Sequence, residues 1–182
     1  IKGPPPPRCP HSADTAMSRS VPLLLLLALA CLARLGSAQT MDVAFSASLG
    51  GNGMVKTTSG NKNLIYKDVL TNVGGAYNAE TGVFTAPVRG VYYVRFTANA
   101  PTDFTMSAVL YKNNEQVQLI VHEQPSGEGS DTASNGAALL LEAGDTLKMA
   151  LWHNTQIWDN SNHHSTFSGF LLFPMSQGAV GQ

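Results

Sequence analysis

Few side chains in this chain can move a proton near neutral pH. Beyond the amino-terminal region the histidines are His122, His153, His163 and His164, and imidazole is the side chain whose ordinary titration falls in that range. His163 and His164 are adjacent, so on a strand their rings point to opposite faces and they meet at one metal only from a loop. All four read as surface loop residues, with a metal ligand or pH sensor as the alternative. The spacings Gly-x-Ser-x-Gly, a Walker loop, His-Glu-x-x-His and a helix-opening Gly-x-Gly-x-x-Gly are absent, and hydrolases, P-loop NTPases, zinc peptidases and dinucleotide enzymes are built on them. The sequence therefore argues against an enzyme. Two carboxylates, Glu123 and Asp131, flank a Gly- and Ser-rich stretch at 124–130, and are hard oxygen donors suited to a cation or simply to a solvated acidic loop. Among aromatic residues that can line a ligand surface are Trp152, Trp158, Tyr66 and Tyr111. Trp152 continues a strand and is expected in the core or an interface, whereas Trp158, in the polar run 154–165, is the candidate ligand contact.

The elements that must position these groups read as strands. After Gly90, Tyr92, Val94, Phe96 and Ala98 alternate with Tyr93, Arg95 and Thr97, the period of a half-buried strand. Upstream, Glu80-Thr81-Gly82 and Pro87-Val88-Arg89-Gly90 supply turn residues. Met106, Ala108 and Leu110 alternate with polar and aromatic positions up to Asn113-Asn114. Asparagine tolerates positive φ, so this pair predicts a hairpin into a partner strand holding Val117, Leu119 and Val121. Ala137 to Leu141 is nearly continuously apolar, which predicts a strand covered on both faces, with neighbouring subunits of an oligomer as one source of the cover. Leu147, Met149 and Leu151 resume alternation, and no stretch after Gln39 has capped helical periodicity.

Between Tyr66 and Phe96 the order Tyr66-x5-Asn72-x4-Tyr77-x6-Phe84-x5-Gly90-x-Tyr92-x-Val94-x-Phe96 closely resembles the signature of the complement C1q globular-head domain, within the superfamily shared with the tumour necrosis factor cytokines. That pattern has Phe where this chain has Tyr66 and where it has Val94. The resemblance continues through Gly144-Asp145 and the strand 147–152 to the closing run Phe167-Ser168-Gly169-Phe170-Leu171-Leu172-Phe173. It implies an all-β jelly roll of about ten strands in two Greek-key sheets, assembled as a homotrimer, with 43–49 and 167–173 as neighbouring first and last strands. It also implies calcium near the trimer axis, held by Glu123 and Asp131 of symmetry-related copies.

Residues 1–16, rich in proline and without an initiating Met, read as upstream leader sequence. Met17, Arg19, an apolar stretch from Val21 to Leu32 and Gly36-Ser37-Ala38 read as a secretory signal peptide over 17–38. The mature chain is then 39–182, with the globular domain at about 41–175, secreted and too short of apolar length to span a bilayer. Both cysteines, Cys9 and Cys31, precede the expected cleavage. Cleavage would remove four of eleven basic residues and one of twelve acidic ones, leaving seven against eleven and a formal charge of −4. Nucleic acid and anionic membrane both call for clustered Lys and Arg, so neither is an expected partner.

Only Gln39 to Asp42 separates the signal peptide from the first strand, with no collagen-like repeat. The expected function is a secreted recognition protein of innate immunity, whose three weak sites combine by avidity on a microbial surface, polysaccharide or host ligand. The alternative is a secreted cerebellin-like or cytokine-like ligand for a cell-surface receptor.

Overall fold

A computed structural model of the chain describes residues 3, 41–51, 53–125, 127 and 129–176. The expected leader and signal peptide, and with them Cys9 and Cys31, lie outside the described residues. The described residues from 41 to 176 form one compact unit. Its strands are β1 (Ala44–Ser48), β2 (Val55–Lys56), β3 (Lys62–Asn63), β4 (Asp68–Val73), β5 (Tyr77–Asn78), β6 (Val83–Thr85) and β7 (Gly90–Ala100). They continue as β8 (Met106–Lys112), β9 (Glu115–Glu123), β10 (Asp131–Leu141), β11 (Thr146–Leu151), β12 (Gln156–Ile157) and β13 (Thr166–Pro174). The expected count of about ten is exceeded because β2, β3, β5 and β12 are two-residue pairings. Among the described residues there is no helix.

One sheet runs β10-β7-β13-β1-β4; the other runs β5-β6-β11-β8-β9, with β3 also pairing β11. The first and last long strands are antiparallel neighbours, Phe45 opposite Gly169 and Ala47 opposite Phe167, a jelly-roll closure that only long-range pairing can make. The hairpin between β8 and β9 forms at Asn113 and Asn114, which take φ of 50° and 68°.

Aromatic rings from both sheets join them. Phe45 stacks on Tyr77 at 5.0 Å and on Phe84 at 4.9 Å, and meets Phe167 edge-on at 4.9 Å. Phe84 in turn meets Tyr92 edge-on at 5.6 Å. Such pairs add about 0.5–1.5 kcal/mol each beyond their buried area. Gly169 makes the room: a Cβ there would lie 2.8 Å from Cε1 of Phe45 and 3.0 Å from Cγ1 of Val94. Asn72 holds the turn into this cluster, its amide donating to the Tyr77 carbonyl at 2.8 Å and its side-chain oxygen accepting from the Tyr77 N–H at 3.2 Å.

Tyr66 is fully buried and so lines no ligand surface, against the sequence expectation. Its ring fills the core while its backbone carbonyl accepts the Tyr77 hydroxyl at 2.9 Å. The Tyr66 hydroxyl itself has no hydrogen-bond partner among the described residues, and an orphaned buried polar group costs about 1–3 kcal/mol. The apolar strand Ala137 to Leu141 is covered on one face only by its own chain, which leaves the other face to the neighbouring copies expected to cover it. It lies in the edge strand β10, with Leu141 buried but Leu140 exposed, because no layer covers the outward face of its sheet.

Tyr66→Phe should stabilise the fold by about 1 kcal/mol, read as a higher urea midpoint at unchanged slope. Burial pushes Tyr66 far above the ordinary phenol range, with the nearby Tyr77 and Asp159 adding to it, and burial pushes Tyr77 up to about 12 despite its hydrogen bond to Tyr66. In the unfolded chain these phenols ionise near 10. Their contribution is therefore fully present below pH 10 and is lost as pH rises through 12, so chemical-denaturation midpoints should fall steeply across that window.

Candidate functional site

The outward face of the five-stranded sheet carries side chains in cross-strand rows. One row reads Ala138, Tyr93, Phe170, Ala44 and Val73 across β10, β7, β13, β1 and β4, and is apolar or aromatic throughout. Beside it, Leu140, Val91 and Phe173 face each other. Phe170 is 44 % exposed, Leu140 45 %, Val73 47 % and Phe173 52 %, and the Tyr93 and Phe170 rings lie 5.7 Å apart. The next row is Gly136, Arg95, Ser168, Ser46 and Thr71, and the third is Ser134, Thr97, Thr166, Ser48 and Asp68. The alternation that buries Tyr92, Val94 and Phe96 necessarily puts Tyr93 and Arg95 here.

A second candidate region is the rim where the loops before β10 and β13 gather. Glu123 closes β9 and is half-buried; Asp131 opens β10 and is exposed. No group of three His, Cys, Asp or Glu side chains able to hold a metal occurs among the described residues. Trp158 is half-buried rather than freely exposed. Its ring stacks on His164 at 5.6 Å, its N–H donates to the Asn99 carbonyl at 3.0 Å, and its carbonyl accepts the Ser165 hydroxyl at 2.6 Å. With Met54, Pro101 and Phe104 it lines an uncharged depression of about 320 Å³.

The histidines are not brought together. Nδ1 of His163 lies 2.7 Å from the Ser48 hydroxyl and 3.7 Å from the Asp68 carboxylate. His164 turns to Trp158, and Nε2 of His122 sits 2.6 Å from the Gln124 amide. Trp152 is half-buried, and Tyr111 is a surface ring whose hydroxyl accepts from Asn61 at 2.9 Å and from Gln116 at 3.0 Å.

Sequence reasoning passed over Asp159, which fixes the rim. It is 1 % exposed, and its carboxylate accepts N–H groups from Gly50 at 3.1 Å, Asn160 at 2.9 Å and Ser165 at 3.3 Å. Its own N–H donates to the Gly53 carbonyl at 3.1 Å. The only signal was its place in a polar run, because burial of the carboxylate depends on the distant Gly50 segment closing over it.

A two-sheet jelly roll closed by its first and last long strands is the fold class of C1q-type domains. The C1q domain profile matches residues 44–172, and the chain belongs to the C1q domain family. It is 32 % identical over 133 residues to complement C1q tumor necrosis factor-related protein 3 of Mus musculus and equally to that of Homo sapiens. The match covers 73 % of this chain and 52 % of each relative, so the chain spans about half the length of the curated relatives it matches. Among solved structures, the globular domain of zebrafish complement 1qA is similar with a TM-score of 0.59 at 24 % identity, over 73 % of this chain and 99 % of that one. Murine APRIL at pH 5.0 is similar with a TM-score of 0.58 at 11 % identity, over 72 % and 99 %. These last two show the shared fold. The C1q domain at 44–172 belongs to a family of non-enzymatic ligand proteins, and among the described residues no helix is long and apolar enough to cross a membrane.

Asp159→Ala leaves three buried N–H groups without their acceptor and should cost at least about 2 kcal/mol, measured by denaturant unfolding. Asp159→Asn, which retains one acceptor oxygen, should lose less.

Proposed function

We propose that the chain is a secreted homotrimeric recognition protein whose rim loops bind microbial or polysaccharide surfaces in innate immunity. The observation that carries the assembly is the uninterrupted apolar row through Tyr93, Phe170 and Val73, with Leu140 and Phe173 beside it, left in water by the single chain. Contiguous exposed apolar area of this kind marks an interaction surface. Packing copies through it also supplies the cover that the apolar run 137–141 lacks. The signal-peptide pattern at 17–38 supports secretion.

Three rims on one assembly would multiply weak contacts by avidity. The rim in this reading is built around the Trp158 depression, which Ser130 and Phe104 also line. Calcium would sit where Glu123 and Asp131 of neighbouring copies converge: carboxylates suit it, and like charges brought together need a cation between them. A second reading, a secreted signalling ligand for a host receptor, is favoured by the identity to relatives named for tumour necrosis factor.

Light scattering on the purified chain should give three times the monomer mass, and Phe170→Asp should raise the dissociation concentration more than about thirtyfold. A monomer at all concentrations would sink the assembly reading. A chelator should lower the melting temperature of the wild type but not of Asp131→Ala; equal melting of both with and without calcium would remove the ion. Binding to whole bacteria or to purified polysaccharide supports recognition, whereas saturable binding to one host-cell receptor alone supports the signalling reading.

A further inference from the structure

Arg95 stands in the middle of the face through which the chain is proposed to assemble. It projects outward from β7, is exposed, and has no ion pair among the described residues; the other charged side chain in the three central rows is Asp68. Asp68 belongs to β4, three strands away, roughly 14 Å at the usual strand spacing, and already faces His163 at 3.7 Å. Closing the face would take an unpaired guanidinium out of water. That costs several kcal/mol unless an opposite charge meets it.

The surroundings of Arg95 are shaped to admit one. A depression of about 220 Å³ opens between the Tyr93 and Phe170 rings and is floored by Arg95, Ser168 and Thr166. Across on β10 stands Gly136, where a Cβ would lie 2.7 Å from the Val94 carbonyl oxygen and 3.3 Å from Cβ of Arg95, so no side chain crowds the guanidinium from that side. The Ser46 and Ser168 hydroxyls lie 2.8 Å apart; one donates to the other, which leaves the second proton free to donate outward. The guanidinium offers five N–H donors and no acceptor. The one charged side chain lining the depression is Arg95; the Thr97 hydroxyl donates to the His164 carbonyl at 2.7 Å and the Thr166 hydroxyl to Thr97 at 2.8 Å, so the outward hydroxyl donor beside the guanidinium is that of the serine pair.

Building on the self-association reading, we infer that Arg95 with the Ser46–Ser168 hydroxyl pair forms an anion site that assembly closes, and that stable assembly requires its occupation. The ligand is an oxyanion able to take two guanidinium hydrogen bonds at once, a carboxylate or a tetrahedral sulfate or phosphate. It comes either from solution or from a carboxylate side chain on a neighbouring copy. Because three copies each bring one cation to the interface, the uncompensated charge would oppose assembly more strongly than in one chain.

The test follows assembly of the full chain by sedimentation and melting, with millimolar sulfate added at fixed ionic strength, for wild type and for Arg95→Met, which keeps most of the volume and removes the charge. With a solution anion, sulfate tightens the wild-type assembly at least about tenfold while Arg95→Met assembles as well without it and ignores the addition. With a neighbouring carboxylate, wild type ignores sulfate and Arg95→Met weakens assembly at least about tenfold, since the partner's charge is stranded. A wild type that assembles, ignores sulfate and is matched by Arg95→Met overturns the anion site and leaves the assembly reading standing. A chain that is monomeric in every condition overturns that reading and the anion site with it.

Discussion

The ring cluster between the two sheets is the constraint on which the rest of the molecule depends. Phe45, Phe167 and Tyr92 come from one sheet and Tyr77 and Phe84 from the other, and their contacts at 4.9–5.6 Å leave no freedom to slide either sheet by a residue. A one-residue slip would carry every ring to the opposite face. Gly169 belongs to the same arrangement, because it gives Phe45 the space to lie against β13, and the two hydrogen bonds of Asn72 deliver Tyr77 at the right height. The departure at Tyr66 shows the tolerance of this core: the ring is accepted at full burial, although its hydroxyl finds no partner among the described residues.

Commitment of one face of the five-stranded sheet to that cluster determines what its other face can be. Each inward Tyr92, Val94 or Phe96 forces an outward Tyr93, Arg95 or Thr97, and pairing across β10, β13, β1 and β4 aligns those outward residues into rows of distinct chemistry. An apolar row beside a hydroxyl row with one cation is unusual for a surface meant to face only water. The proposed assembly and the anion site are two consequences of the same row structure, one following from its apolar area and the other from its single guanidinium. The rim is built differently, by loops whose order depends on the buried Asp159 carboxylate gathering N–H groups from Gly50, Asn160 and Ser165.

Much of the sheet content was legible because period-2 alternation and turn chemistry are local. Gly90 to Ala98 reads as a strand from its own residues, and Asn113-Asn114 announces a hairpin because both must take positive φ. The apolar run 137–141 was legible as a strand to be covered, but apolarity does not report whether the cover is the same chain or another copy. Leu140 is exposed in the single chain while Leu141 is buried. Tyr66 and Trp158 both entered as aromatic residues able to line a surface, with Trp158 preferred for its polar run. Only their neighbours separate them, a core of rings for one and His164 with a loop depression for the other.

By itself the sequence determined that the chain after its amino-terminal region is all β, that its rings lie on one face of their strands, that no familiar catalytic spacing is present, and which family it resembles. Those properties follow from side-chain period, turn residues and motif order, which need no knowledge of distant contacts. Only the tertiary structure decided that Phe45 meets Phe167 and Tyr77, that Asp159 is enclosed, that the histidines diverge, and that Arg95 stands without an ion pair among the described residues in the middle of an apolar and hydroxyl face. The longest-range of these join residues up to 122 apart along the chain, and a local pattern carries no information about which strands will be neighbours.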